Sequence, residues 1–436
     1  MSTLNVDKVD PSTGTALELG TSGDTITVPT GAGLTVTDEV KTNKISPATG
    51  TAFALGDSGD TFTVPSGATI VNSGTATGFG ITQTSFLPTA APLWYNGDMQ
   101  VSQRATSVAS VSSGGYRACD RYFLNPQSFG TWTVSQDSDS PDGFHSSYKF
   151  DCTTANASPA ATGEIFQVQQ RFEGQDLQVF EKGTSAAKKY TVAFWIKSTV
   201  TGTFNVNIQD NDNSRNVSTT WTVDAGDTWE KKICNLPADT TGALDNDNAS
   251  SMQVQFHFGA SAGYAATDST SWGAHGSAGL AYGVTGNMAS STSNNFYITG
   301  VQLEVGEYSS SDLPPFQHES YGDNKRRCQR YYETSFIDGQ IPGTSVSGGN
   351  SGLNTSWADG NCPLPGGGKF KVSKRATPTV VLYARGSTTT GQLTSSGTAR
   401  TAVATQIGTE GVEYCAITSG TASAYSGGSW EASAEL

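Results

Sequence analysis

The sequence predicts an all-β protein, and three observations predict it. Charged residues make up only 15% of the 436 residues, while 50 Gly, 8 Trp, 15 Tyr and 19 Phe are present. Low charge with many Thr, Ser, Gly and aromatics favours short strands joined by tight turns. Short runs of alternating apolar and polar residues recur through the middle of the chain, separated by Asp, Asn and Gly clusters. Near the start, a segment repeats with a period of 36 residues, from Pro11 to Pro47. The length allows about two to four domains. The pattern divides it into a repeated β segment over 1–80, a linker over 81–92 and a jelly-roll sandwich over 93–314. A short helical junction over 315–334 and a small C-terminal β-domain over 335–436 follow.

The repeat aligns Asp10-Pro11-Ser12-Thr13-Gly14 with Ser46-Pro47-Ala48-Thr49-Gly50, and Ser22-Gly23-Asp24-Thr25 with Ser58-Gly59-Asp60-Thr61. Repeats of this kind are stacked supersecondary units. Each unit offers few inward apolar residues: Leu17, Leu19, Ile26 and Val28, then Phe53, Leu55, Phe62 and Val64. So small a core does not fold alone. Three chains wound together would point these residues at one axis, which is the logic of a trimeric β-fibre shaft. A flexible linker is the bland alternative, although a linker has no need to keep its apolar spacing.

Ser73–Gly80 and Phe86–Pro92 read as hinges, the second stiffened by two prolines. From Leu93 the strands come in series. They include Trp132–Gln136, Tyr148–Cys152, Ile165–Phe172, Tyr190–Lys197, Thr203–Gln209, Val217–Val223, Trp229–Cys234, Met252–Phe258 and Asn295–Val305. Short strands between turn clusters over such a length predict a two-sheet jelly roll. Trp195, in the most apolar strand, is expected in the core; Trp132, Trp221 and Trp229 are expected in the core or at its rim. The stretch from Gly259 to Ser293 is a 35-residue loop rich in Gly, Ala, Ser and Thr. Loops so long are usually functional or mobile.

The junction runs from Tyr297 to Glu333. A strand is followed by Pro314-Pro315, then by a helix over about Tyr321–Glu333 with Asp323 in its first turn. Gly368–Tyr383 gives two more strands around an Ala376-Thr377-Pro378 corner, and the alternating tail completes a terminal β-domain.

The net charge of −14 disfavours nucleic acid and anionic membrane surfaces. The basic run Lys325-Arg326-Arg327 with Arg330 is therefore expected to make ion pairs between subunits, with Asp323 or Glu319 of a neighbour. Cys119, Cys152, Cys234, Cys328, Cys362 and Cys415 stand singly with no CxxC, which suits free thiols in a reducing cytoplasm and leaves disulfides open. The N-terminus lacks the pattern of a cleaved signal, and no window approaches the roughly 18 apolar residues of a spanning helix, so no membrane insertion is expected. Acidic residues sit mostly in turns, no GxSxG elbow occurs and the four His are isolated, so catalysis is not expected. Asp210–Asn213 and Asp245–Asn248 read as turns, with calcium binding as the alternative; no metal or cofactor is assigned.

At this point a resemblance is specific. Asn96–Arg104 with Asp120-Arg121-Tyr122, Phe194–Ser198, Ile298–Gly306, and Ser320–Asp323 with Arg327–Tyr332 carry it, and the Arg375–Val380 corner fits the same group. On these residues the chain resembles a bacteriophage tail fibre, or fibre-like tail protein, of the kind found in marine and cyanobacterial phages. The resemblance implies a virion tail protein assembled in the host cytoplasm as a homotrimer. It implies attachment to other tail proteins through the N-terminal region, a carbohydrate-binding-module-like sandwich, and adhesion to a host-surface glycan or protein without catalysis. A tail adaptor with no receptor role and a polysaccharide-degrading tailspike are the alternatives.

Two sets of residues follow as expectations. Tyr264, Trp272, His275 and Tyr282, on a loop with little core of its own, are candidates for glycan binding, since a sugar's apolar face stacks on exposed rings, with burial at a trimer interface as the alternative. Arg327 and Tyr331, with the shaft residues above, are candidates for the trimer interface, the helix lying near the threefold axis with Cys328 and Tyr331 or Tyr332 against other chains.

Overall fold

The computed structural model describes residues 92–344, 352–355, 361–362, 368–395, 397–418 and 425–436. The repeated segment, and with it Leu17, Leu19, Ile26, Val28, Phe53, Leu55, Phe62 and Val64, lies outside the described residues.

Alternation folds the central region into strands. In order they are β1 (Ser107–Val111), β2 (Gly115–Tyr116), β3 (Phe123–Gln127), β4 (Thr131–Asp137), β5 (Ser147–Thr154), β6 (Ile165–Glu173), β7 (Tyr190–Ser198), β8 (Gly202–Asp210), β9 (Arg215–Val223), β10 (Glu230–Leu236), β11 (Ser250–Ala260), β12 (Gly273–Ala274) and β13 (Asn295–Val305). One six-stranded sheet runs β1-β4-β5-β13-β7-β10, and a seven-stranded sheet runs β12-β9-β8-β11-β6-β3-β2. The last strand of the set, β13, lies between β5 and β7, so the chain closes the sandwich by returning to its middle. This is the expected jelly roll.

The inward residues of the two sheets are largely aromatic. Phe150 and Phe296 stack at 4.5 Å, Phe296 and Phe258 at 4.2 Å, and Trp132 lies 4.4 Å from Phe166. Such pairs contribute about 0.5–1.5 kcal/mol each beyond the area they bury. Trp132 and Trp221 are core residues, and Trp229 is at the rim. Trp195 departs from expectation. Its neighbours Phe194 and Ile196 point inward, so the period of two turns Trp195 to the outer face, where it is only half-buried beside Gly300.

The Asn96–Arg104 motif is a buried staple at the sandwich entrance. Asn96 takes a left-handed backbone (φ 52°), accepts from the Val101 N–H at 2.9 Å and donates to the Asp120 carbonyl at 3.1 Å. Gly97 passes so close to the Val301 carbonyl that a Cβ would stand 2.2 Å from it.

The junction helix, α1, covers Tyr321–Gln329. Ser320 caps it, accepting from the Asp323 N–H at 3.2 Å. It ends earlier than expected because Tyr332–Thr334 becomes β14. The helix lies on the sandwich of its own chain, which corrects two expectations. Arg327 pairs with Glu319 of the same chain at 2.5 Å, 4.3 Å over the Tyr95 ring. Tyr331 is fully buried and donates to Glu173 at 2.6 Å, and Cys328 and Tyr332 are buried too. Burial within one chain takes Cys328, Tyr331 and Tyr332 off the surface, while Arg327, half-buried, meets its Glu319 partner within its own chain. The remaining basic residues of the run are also matched internally: Lys325 with Asp338, Arg326 with Asp323, and Arg330 in a fork on Glu173.

The terminal region adds β15 (Gly352–Thr355), β16 (Asn361–Cys362), β17 (Thr379–Tyr383), β18 (Gln392–Ser395), β19 (Thr398–Ile407), β20 (Val412–Ile417) and β21 (Tyr425–Ser433), with β21 the hub that pairs β14, β15, β17 and β18. Phe370, Leu382, Leu393, Val412 and Trp430 form its own core. The chain then turns back onto the sandwich. Glu435 joins Arg104 at 2.9 Å and also Arg121, and the Leu436 carbonyl accepts from Tyr116 at 3.0 Å and from Arg171.

Candidate functional site

The seven-stranded sheet has an unusual outer face. Phe204, Val206 and Ile208 on β8, Val254, Phe256 and Phe258 on β11, and Phe166 and Val168 on β6 point into the core. Alternation therefore sends Asn205, Asn207 and Gln209, then Gln253, Gln255 and His257, then Gln167, Gln169 and Arg171 outward. Strand pairing sets them in register. One row runs Phe123, Gln169, Gln255, Asn207, Ser218; a second runs Asn125, Gln167, His257, Asn205, Thr220; a third runs Arg171, Gln253, Gln209, Asn216. Three ladders of primary amides thus cross the sheet side by side.

Part of this face is out of water. Gln169, Gln255, Asn205, Asn207 and Asn216 are each at most 3% exposed. Among the described residues, Gln169 Oε1, Gln255 Oε1, Asn216 Nδ2 and both side-chain polar atoms of Asn207 have no partner. A buried polar atom without a partner costs about 1–3 kcal/mol. Their concentration on one face marks a surface shaped for something other than stability.

The cover is the loop from Ser261 to Asn294. It is pinned by the Ser218 N–H donating to the Ser269 carbonyl at 2.7 Å, by Asn205 Nδ2 donating to the Tyr282 carbonyl at 2.9 Å, and by the His275 N–H donating to the Ser214 carbonyl at 2.7 Å. A pocket of about 310 Å³ remains beside it, floored by Asn125, Gln167, Gln169, Gln209, Gln253 and Gln255 and walled by Phe123, Arg171, His275 and Leu280.

Arg171 is the one formally charged side chain among the described lining residues. Arg171 lies 4.6 Å over the Phe123 ring and donates to the Leu436 carbonyl. Burial pushes His257 down to about 3, so its ring is uncharged and donates to one of its two oxygen neighbours, Asn205 Oδ1 at 3.1 Å or Gln167 Oε1 at 3.2 Å. Partial burial also lowers His275. Amides of this kind give and accept hydrogen bonds at fixed positions without transferring protons.

The four sequence-predicted binding residues separate. His275 is in the pocket wall. Tyr264 lies at the edge, where its hydroxyl accepts from Gln127 at 3.3 Å, and Tyr282 meets the sheet through its backbone carbonyl. Trp272 is not a free platform: its indole donates to the Pro237 carbonyl at 2.7 Å, and its ring packs on Tyr190 and over Lys182. Beneath it Lys182 pairs with Asp210 at 2.5 Å and Asp239 at 3.1 Å, which also accounts for one of the Asp/Asn turns weighed for calcium. The amides that form the floor were not singled out from sequence, although Asn and Gln at every second position of three strands were there to be read.

No family model and no curated protein matches the chain. Solved structures do. The enzymatically active domain of tailspike protein 4 of bacteriophage CBA120 is 16% identical with a TM-score of 0.25, over 45% of this chain. The match spans only 21% of that domain's length. The family 11 carbohydrate-binding module of the Clostridium thermocellum cellulase Lic26A-Cel5E is 10% identical, TM-score 0.25, over 50% of this chain and 96% of the module. The CBM22-2 xylan-binding domain of Paenibacillus barcinonensis Xyn10C is 16% identical, TM-score 0.23, over 45% of this chain and 97% of that domain. Likeness at this level carries no statement about what this chain binds.

Proposed function

We propose that the chain is a non-catalytic adhesion protein of a phage tail, a tail fibre that holds a host-surface glycan in the amide pocket of its sandwich. The single observation that carries the glycan reading is the row of buried amides with unpartnered oxygens and nitrogens beside a polar pocket. Sugars are dense in hydroxyls that both donate and accept, and a pocket of convergent amides is their complement. The motifs shared with tail fibres support the virion role, and with it a homotrimer joined to other tail proteins through the N-terminal segment.

The test is adsorption. Purified full-length chain should occupy host receptors and slow phage attachment, and Gln253→Ala, which removes a half-exposed amide of the floor, should weaken that block about 5–10-fold. A chain that binds other tail proteins but neither host cells nor their surface polysaccharide would overturn the adhesion reading. Release of new reducing ends from that polysaccharide would overturn its non-catalytic part.

A further inference from the structure

We infer that the pocket reads the end of a glycan, taking about one or two uncharged sugar units through a pair of neighbouring hydroxyls, and does not follow the interior of a polymer chain. This rests on the glycan reading of the same site.

Three features of the geometry point there. The first is size. A volume of about 310 Å³ lies at the lower end of the roughly 300–1,000 Å³ of small-molecule sites. The second is what flanks the pocket. Ladders of amides continue under the loop, but the loop is tied down at Ser218, Asn205 and Ser214, so the Asn207 and Asn205 side of the face is roofed. On the side towards β2, Arg171 and Tyr116 both donate to the Leu436 carbonyl and close the sheet edge. Gln127 bridges to the Tyr264 hydroxyl at a third side. A polymer lying along the ladders would meet the tied-down loop on one side and the Leu436 contacts on the other.

The third feature is the sign of the unmet hydrogen bonds. Gln169 Oε1 and Gln255 Oε1 are acceptors, buried, without donors among the described residues, and they belong to directly opposed positions on β6 and β11. Two adjacent acceptors call for two adjacent donors on one ligand. A vicinal diol supplies them; a carboxylate or sulfate, which only accepts, does not. Arg171, the charged member of the lining, is engaged by Leu436 and Phe123, and its Nε is a donor without a partner among the described residues. With only Phe123 and the aliphatic Leu280 offering apolar faces, recognition here is by hydrogen bonds more than by stacking.

The experiment uses the full-length chain. A printed array of neutral and acidic glycans picks the sugar, and its ladder of one to six units is then titrated by calorimetry. The expected result is a neutral sugar whose affinity levels off by the disaccharide and falls at least tenfold in Gln255→Leu, with circular dichroism confirming that the variant is folded. Affinity that climbs tenfold or more from two to six units would overturn chain-end recognition and leave the glycan reading standing. Binding confined to acidic glycans would overturn the uncharged class. No binding to any glycan would remove both this inference and the adhesion reading it rests on.

Discussion

The two outer faces of the sandwich follow the same alternation with opposite chemistry. On the six-stranded sheet the outward row Ser135, Lys149, Tyr297, Lys197 is held by charge. Lys149 pairs with Asp151 at 3.2 Å, Lys197 pairs with Asp139 at 2.6 Å, and both ammonium groups lie just over 5 Å from the centre of the Tyr297 ring. These side chains keep contact with water, so whatever the pairs leave unmet the solvent supplies. On the seven-stranded sheet the outward rows are mostly amides, with Arg171 their charged member; Asn205, Asn207, Asn216, Gln169 and Gln255 are buried, and several of their atoms meet nothing among the described residues. A face that only had to be solvated would look like the first. The second keeps polar atoms out of water unsatisfied, and that difference locates the site.

Acid should separate the two faces most strongly. His257 sits in the amide rows, and burial pushes it down to about 3. In the unfolded chain an imidazole titrates near 6.5, so between these values the unfolded state binds a proton that the folded state does not. Stability from this group is fully present above about 6.5 and is lost as pH falls towards 3. From pH 7 to pH 4 the loss is at most about 3 kcal/mol. His257→Gln keeps an amide-like partner for Asn205 and Gln167 and cannot take up the proton. Urea unfolding at the two pH values should show the wild type losing up to that much more than the variant. Asp139, held below its usual range chiefly by its hydrogen bond with Lys197, also loses stability in acid, but equally in both proteins, so it cancels. An equal loss in wild type and variant would show that the amide face does not hold a neutral imidazole.

Much of this architecture was legible in the sequence. The strand runs, the closing strand at Asn295–Val305 and the burial of Trp132 and Trp221 all follow from local pattern. What failed was non-local. Trp195 was assigned to the core by the hydrophobicity of its strand, but its parity places it outside. Arg327 and Tyr331 looked like material for a subunit interface because nothing in the sequence shows that the helix folds back onto Glu319, Tyr95 and Glu173. The site was sought among aromatics of the long loop, where Trp272 is in fact held by Pro237, Tyr190 and Lys182. The amides were visible at alternate positions of β6, β8 and β11, but only the pairing order β8-β11-β6 sets them in rows, and pairing order is not a local property.

A smaller effect should sharpen the contrast from the side of stability. Asn207 is fully buried and both of its side-chain polar atoms lack partners among the described residues. Replacing it with valine removes the unmet groups and suits a strand. Asn207→Val should raise stability by about 1–2 kcal/mol in urea unfolding while leaving the fold unchanged by circular dichroism. A destabilised variant would mean that the amide is satisfied in solution and that this part of the face is ordinary.

The smallest effect belongs to the other face. Lys149→Ala breaks a pair whose partners are 23% and 35% exposed, and whose charges water can solvate separately. Exposed pairs of this kind contribute about 0–1 kcal/mol, so the variant should lie within about 0.5 kcal/mol of wild type, and the difference should shrink further in high salt. Its block of phage adsorption should equal that of the wild type, because Lys149 stands on the opposite sheet from the pocket. Unfolding midpoints at low and high salt, with the adsorption assay on the same preparation, decide it. If Lys149→Ala instead weakened adsorption as much as Gln253→Ala does, the charged face would be the adhesive one, and the buried amides would be a feature of folding alone.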